Sequence, residues 1–124
     1  MVSDEEVVKN SIDVERVEVE RAEEIGIQKL ITEDDGSENI HLRKFTMQPG
    51  GSMGLHSHDN AEHVQYVLKG IIKVTIGDSE YTVREGFSLF IPRKTPHSYE
   101  NIGNTEAEFL CIIPSVDVHT EMKE

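Results

Sequence analysis

From residue 25 onward the chain alternates apolar and polar positions with a period of two, the pattern of strands that bury one face. The alternation first shows at Val17-Glu18-Val19-Glu20, inside an acid-rich opening that otherwise reads as a loose tail. Strands are predicted over Ile25 to Ile31 and Ile40 to Met47, with Glu33-Asp34-Asp35-Gly36-Ser37 as the turn between them. Gln48-Pro49-Gly50-Gly51 is expected to stop the second ladder, because proline lacks a donor and glycine has no side chain to pack. Further strands follow over His63 to Leu68 and Ile71 to Ile76, and Gly77-Asp78 makes a tight hairpin into Tyr81-Thr82-Val83. Phe87 to Ile91, His97 to Glu100 and Glu106 to Ile113 complete the set. Short, evenly spaced strands with Gly, Pro, Asn and Asp between them, and no sustained helical period, predict an all-β sandwich or closed barrel.

Size adds a single domain, since 124 residues build one core and leave no room for a second. Residues 1–24 are expected to form an acidic N-terminal segment, partly strand or exchanged with a partner subunit, and residues 25–124 the barrel. A formal net charge of −12, from 24 acidic and 12 basic residues, argues against a nucleic-acid backbone or an anionic membrane as partner. No apolar run approaches the roughly 20 residues that span a bilayer. The opening Met-Val-Ser-Asp-Glu-Glu lacks the features of a secretory signal, and Cys111 is the only cysteine, so a cytoplasmic setting is expected.

The candidate chemistry lies in histidines. His56 and His58 stand at i and i+2, so on an extended segment both imidazoles share a face. His63 opens the next strand and His97 comes from a distant one, which is a common way to close a metal site. Glu62 also fits a His-x-His-x3-Glu spacing and competes with His63 as third ligand. Neighbouring strand residues face opposite sides, so only one of the two points inward.

Two ordered motifs surround these residues. Gly50, His56, His58, position 63 and Gly70 follow the pattern Gly-x5-His-x-His-x3–4-Glu-x6-Gly, with histidine in place of glutamate. Gly86, Pro92, His97 and Asn101 follow Gly-x5-Pro-x-Gly-x2-His-x3-Asn, with Lys94 where a glycine is usual. In both, the chain resembles the cupin superfamily from about Ile25 to Pro114. The likeness implies a double-stranded β-helix, or jelly-roll, barrel. Its spacing to Val67-Leu68-Lys69-Gly70 favours His63 over Glu62. The His-for-Glu change resembles small single-domain cupins that bind manganese through four histidines, here His56, His58, His63 and His97. The Asn39 to Phe45 stretch and the Phe-Leu-Cys-x-Ile-Pro stretch ending at Pro114 agree with that subset. Manganese is therefore the implied ion, although an all-nitrogen site also suits iron, nickel, copper or zinc. Neutral ligands would release the ion as pH falls past the roughly 6.5 of free histidine.

Parity places Gln65 and Val67 inside with His63, and Val64, Tyr66 and Leu68 packed behind the sheet. Gln65 either holds a bound water or substrate oxygen or faces solvent at the barrel mouth. Arg43 shares a face with Phe45 and Met47, and is either the partner of a carboxylate or enolate substrate or half of a surface ion pair. Cys111, beside Phe109 and Ile113, reads as a buried hydrophobe or a reactive thiol. Arg43, Gln65 and Cys111 are the catalytic candidates, while His41 and His119 are expected to be solvated. Four neutral imidazoles with open positions on the ion point to a metal-dependent oxidoreductase of dioxygenase type acting on a small oxygenated or aromatic molecule. A non-redox isomerase or decarboxylase, with Glu62 or Tyr66 as base, and a non-catalytic ligand- or metal-binding module are the alternatives. Cupins of this size usually pair through edge strands, which implies a homodimer.

Overall fold

The computed structural model describes residues 6–58, 60–115 and 120–122. Apart from two single 3-10 turns, Ser11–Asp13 and Glu33–Asp35, regular structure among them is strand. In chain order the strands are β1 (Val17–Glu18), β2 (Ala22–Ile31), β3 (Ile40–His58), β4 (His63–Lys69), β5 (Ile71–Ile76), β6 (Ser79–Arg84), β7 (Ser88–Ile91), β8 (His97–Asn101), β9 (Ala107–Pro114) and β10 (Thr120–Met122). All ten join one curled antiparallel sheet ordered β6-β5-β8-β3-β9-β4-β7, with β2 and β10 also paired to β3 and β1 paired to β2. No helix among the described residues is long and apolar enough to cross a membrane.

The concave face gathers the core: Ile25, Phe45, Met47, Val67, Ile72, Val74, Ile91, Phe109 and Cys111 are all buried there. Strand alternation does this directly. Along β4, His63, Gln65 and Val67 are buried while Val64 and Tyr66 are exposed. The expectation that Val64, Tyr66 and Leu68 pack behind the sheet fails for the first two: Val64 is 49% and Tyr66 46% exposed, and Leu68 is half-buried. A curled sheet needs only one core, and among the described residues no second layer covers its convex side at Val64 and Tyr66.

A second departure shapes the site. Gln48-Pro49-Gly50-Gly51 bends the ladder without ending it, and β3 runs on to His58. Gly50 sits at φ +79, a left-handed conformation that glycine adopts without steric cost. Before the bend β3 pairs with β9 (Phe45 opposite Phe109), and after it with β8 (His56 opposite His97). The strand thus turns a corner and serves two parts of the sheet.

The motif residues have local explanations as well. Gly70 is at φ +91, and a Cβ there would lie 2.5 Å from that of Ala107, so no side chain fits. Asn101, buried, donates to the carbonyls of Met47 (3.0 Å) and Thr105 (2.9 Å) and accepts from Gly103 N–H, tying the turn after β8 to β3. Lys94 adopts φ +67 where the pattern has glycine, and its N–H donates to the His58 carbonyl at 2.7 Å.

Candidate metal centre

β3 delivers His56 and His58, β4 delivers His63, and β8 delivers His97; all four are buried. The ring centroids lie 4.2 Å apart for His56–His97, 5.2 Å for His56–His58 and 5.4 Å for His58–His97. One ligand atom from each of His56, His58 and His97 falls within 4.8 Å of the other two. His63 stands beside this trio, its ring stacked on His58 at 4.5 Å and 13°. It is buried, whereas Glu62 is exposed, so the inward position belongs to the histidine.

Two backbone carbonyls set the chemistry of the rings. His56 Nδ1 lies 2.7 Å from the Gly54 carbonyl and His97 Nδ1 lies 2.9 Å from that of Thr95. A carbonyl only accepts, so each Nδ1 carries the proton and each Nε2 presents a lone pair, the arrangement common behind metal-bound histidines. His97 Nε2 and His63 Nε2 are buried without a hydrogen-bond partner, a state buried polar atoms seldom tolerate unless something else fills it. Burial pushes His56 down to about 4, even though the Gly54 hydrogen bond pulls the other way. Burial and the neighbouring His56 push His58 to about 3; burial likewise lowers His63 and His97. At neutral pH all four rings are neutral, as nitrogen ligands must be. A borderline divalent transition metal fits this donor set; calcium or magnesium, which take oxygen, does not.

Behind His63 the register places three side chains side by side: Arg43 of β3 opposite Cys111 of β9, and Cys111 opposite Gln65 of β4. Arg43 Nη2 and Gln65 Nε2 each donate to Cys111 Sγ at 3.4 Å, and His63 Nδ1 lies 3.3 Å from the same sulfur. Cys111 is fully buried, but its sulfur is the hub of a polar contact set. Gln65 faces inward and is buried, with its Oε1 accepting from Tyr99 O–H at 3.0 Å. Burial pushes the Tyr99 phenol above its ordinary range, so it remains a hydrogen-bond donor. Phe45, Phe109 and Tyr99 stack in turn, at 5.0 and 5.2 Å, as the wall beneath.

Arg43 is half-buried at this cup and makes no ion pair with a described residue. Arg21, from the turn between β1 and β2, reaches the same place. The sequence reading missed Arg21, because nothing in an acid-rich opening marks one arginine as inward. His41, expected to be solvated, is half-buried with an unpartnered Nε2 beside a separate cavity near Thr32, since β2 and β9 flank it on both sides. His119 lies outside the described residues. The space enclosed by the four histidines is about 10 Å³, close to that of one water. Beyond Arg21 and Arg43 it adjoins a larger cavity of about 490 Å³.

Residues 43–113 match the family model described as the cupin domain. Among curated proteins, an uncharacterized protein of Methanocaldococcus jannaschii is 39% identical over 70 residues, 56% of this chain and 56% of that protein. An oxalate-binding protein of Thermotoga maritima is 33% identical over 70 residues, 56% of this chain and 58% of its own length. The chain therefore spans little more than half of these two relatives. Among solved structures, the polyketide cyclase RemF of Streptomyces resistomycificus superposes with a TM-score of 0.86 at 28% identity, covering 97% of this chain and 88% of that one. The curled sheet fits the jelly-roll barrel of such neighbours.

Proposed function

The chain belongs to the cupin domain family, and on that premise we propose that it is a mononuclear metal enzyme acting on a small oxygenated anion. His56, His58 and His97 would hold the ion, with His63 as fourth ligand. The observation that carries this reading is the convergence of three buried ring nitrogens within 4.8 Å, two of the rings fixed by carbonyls on their far side. A bound divalent ion would supply Lewis acidity toward a chelating pair of substrate oxygens. Among the described residues its lining offers positive charge and no carboxylate, so Arg21 and Arg43 would bind and orient an enolate or carboxylate. Such an environment suits stabilisation of developing negative charge, as in a cyclisation or decarboxylation that needs no oxidant. The likeness to a polyketide cyclase over nearly the whole chain supports the same class.

Oxygen-dependent turnover, the dioxygenase reading, is favoured by one observation. Glu62 and Tyr66 are exposed and the Tyr99 hydroxyl is engaged by Gln65, which leaves no side-chain base at the cup among the described residues. Manganese is the ion the four-histidine likeness favours, while ligand affinity alone favours copper or zinc. Metal analysis of protein from its native host, followed by turnover of enolisable keto acids and hydroxyaromatic acids with and without oxygen, tests the proposal. Stoichiometric metal and product formed without oxygen are expected. Failure to hold any metal after exposure to manganese, iron, copper and zinc would sink it; product only in oxygen would select the dioxygenase reading.

We also infer a homodimer across the convex face, where exposed Phe90, Val64 and Ile112 stand side by side on β7, β4 and β9. Sedimentation should give twice the chain mass, and a Val64→Asp substitution should shift it toward the monomer.

A further inference from the structure

The approach to the histidines is built largely by residues outside the matched domain. The cavity of about 490 Å³ is walled by Val14, Val17, Val19 and Arg21 from the N-terminal segment and by Ile27 and Phe45 from β2 and β3. Arg21, Arg43 and Phe45 border both this cavity and the histidine cup, so they form the partition between the two. The cup, at about 10 Å³, has room for an ion and the few atoms bound to it, and not for a ring. The body of any substrate must therefore lie in the larger cavity, whose size is ordinary for a small-molecule site.

Charge specifies what the partition recognises. In a chain of net charge −12, two guanidiniums meet at one spot, and neither lies within ion-pair distance of a carboxylate among the described residues. Arg43 Nε is buried without a hydrogen-bond partner. Partial desolvation and the nearby Arg43 both lower Arg21 from its usual range, as two cations held close together should. Farther out, Glu15, Glu18 and Glu20 outnumber Lys29 in the same lining and would disfavour a second anionic group on the substrate's tail.

Resting on the metal-enzyme reading above, we propose that the segment Val14–Arg21 is the specificity element of this site. Arg21 works with Arg43 to bind the anionic head of a substrate whose apolar, ring-sized body fills the cavity against Val17, Ile27 and Phe45. A bare dicarboxylate such as oxalate fills the partition but leaves the cavity unused. The substrate class is thus a monoanionic hydroxyaromatic or enolised keto acid.

Calorimetric binding of 1-hydroxy-2-naphthoate, 1-naphthol and oxalate to the full chain, both metal-free and zinc-loaded, tests this. Metal-free protein should bind hydroxynaphthoate at least about ten-fold tighter than either naphthol or oxalate. Arg21→Gln, at an exposed position that leaves folding intact, should cost about ten-fold toward hydroxynaphthoate in both forms. It should leave naphthol binding and zinc affinity unchanged, and Arg21→Lys should recover part of the loss. Unaltered hydroxynaphthoate affinity in Arg21→Gln, or oxalate binding as tight as hydroxynaphthoate in metal-free protein, overturns the proposal. A protein that takes up no zinc would instead defeat the metal reading, and the metal-free arm would still decide this one.

Discussion

The histidine cup and the cavity beside it are built on opposite principles. The cup is small, rigid and assembled by three strands of the matched domain, with rings fixed by carbonyls and by a packed layer behind them. The cavity is roomy, and its N-terminal wall is held by the two-residue strand β1 on β2, by Gln28 Nε2 donating to the Ser11 and Val14 carbonyls, and by buried Val19. On the proposed reading, chemistry that must be positioned to a fraction of an ångström would sit where sheet pairing is densest, and selection of a substrate would sit in a segment with fewer pairings. The difference teaches that likeness within residues 43–113 speaks to the histidine cup and says little about what enters it.

The sharpest way to break the comparison is to remove a ligand. His56→Ala should abolish stoichiometric metal binding, measured by equilibrium dialysis, while hydroxynaphthoate binding to metal-free protein persists; retention of full metal affinity would contradict the ligand assignment. Acid comes next. The four histidines are held below their unfolded value of about 6.5, so the unfolded chain takes up more protons and stability is lost as pH falls. The loss begins near pH 6.5 and runs to about 4 for His56 and 3 for His58, at up to about 1.4 kcal/mol per pH unit for each ring. Urea melts of metal-free protein across that window should show it, and ligand protonation should release metal well below the 6.5 that free histidine suggests.

A smaller effect is expected one layer out. Cys111→Ala strips the acceptor from Arg43, Gln65 and His63, and should weaken metal binding about ten-fold and cost about 1–3 kcal/mol in stability. Cys111→Ser should recover part of the metal affinity. In the cavity, Val17→Glu should leave metal affinity and stability within about 0.5 kcal/mol of wild type while weakening the aromatic acid, because Val17 is exposed and touches only the outer compartment. Lys94→Gly should be smallest of all, changing stability by less than about 0.5 kcal/mol, because relief of the left-handed conformation is offset by the freedom the unfolded chain gains. Thermal melts suffice to check it.

Much of the reaction centre was legible in advance because it obeys strand parity. His56 and His58 on one face, His63 inward with Gln65 and Val67, and Arg43 beside Phe45 all follow from a period of two. What escaped depends on contacts far apart in sequence. The continuity of β3 through Pro49 and Gly50 arises because β2 runs alongside on both sides of the bend, which local turn signals cannot show. Arg21 gave no signal because its importance comes from where β1 folds back. Cys111 was read by residue type alone, and its polar role required knowing that Arg43 and Gln65 flank it across two ladders.

The bend at Gly50 leaves one further consequence. A single strand carries Arg43 and Phe45 before the corner and His56 and His58 after it, so residues 46–55 would set the distance between the proposed substrate grip and the ion. The register of β3 against β8 shifts between Met53 and His56, which is why buried Met53 and buried His56 stand on opposite parities of the same strand. A single residue taken up or released at that irregularity would reset the distance from the guanidinium to the imidazoles without unpairing either end of the strand.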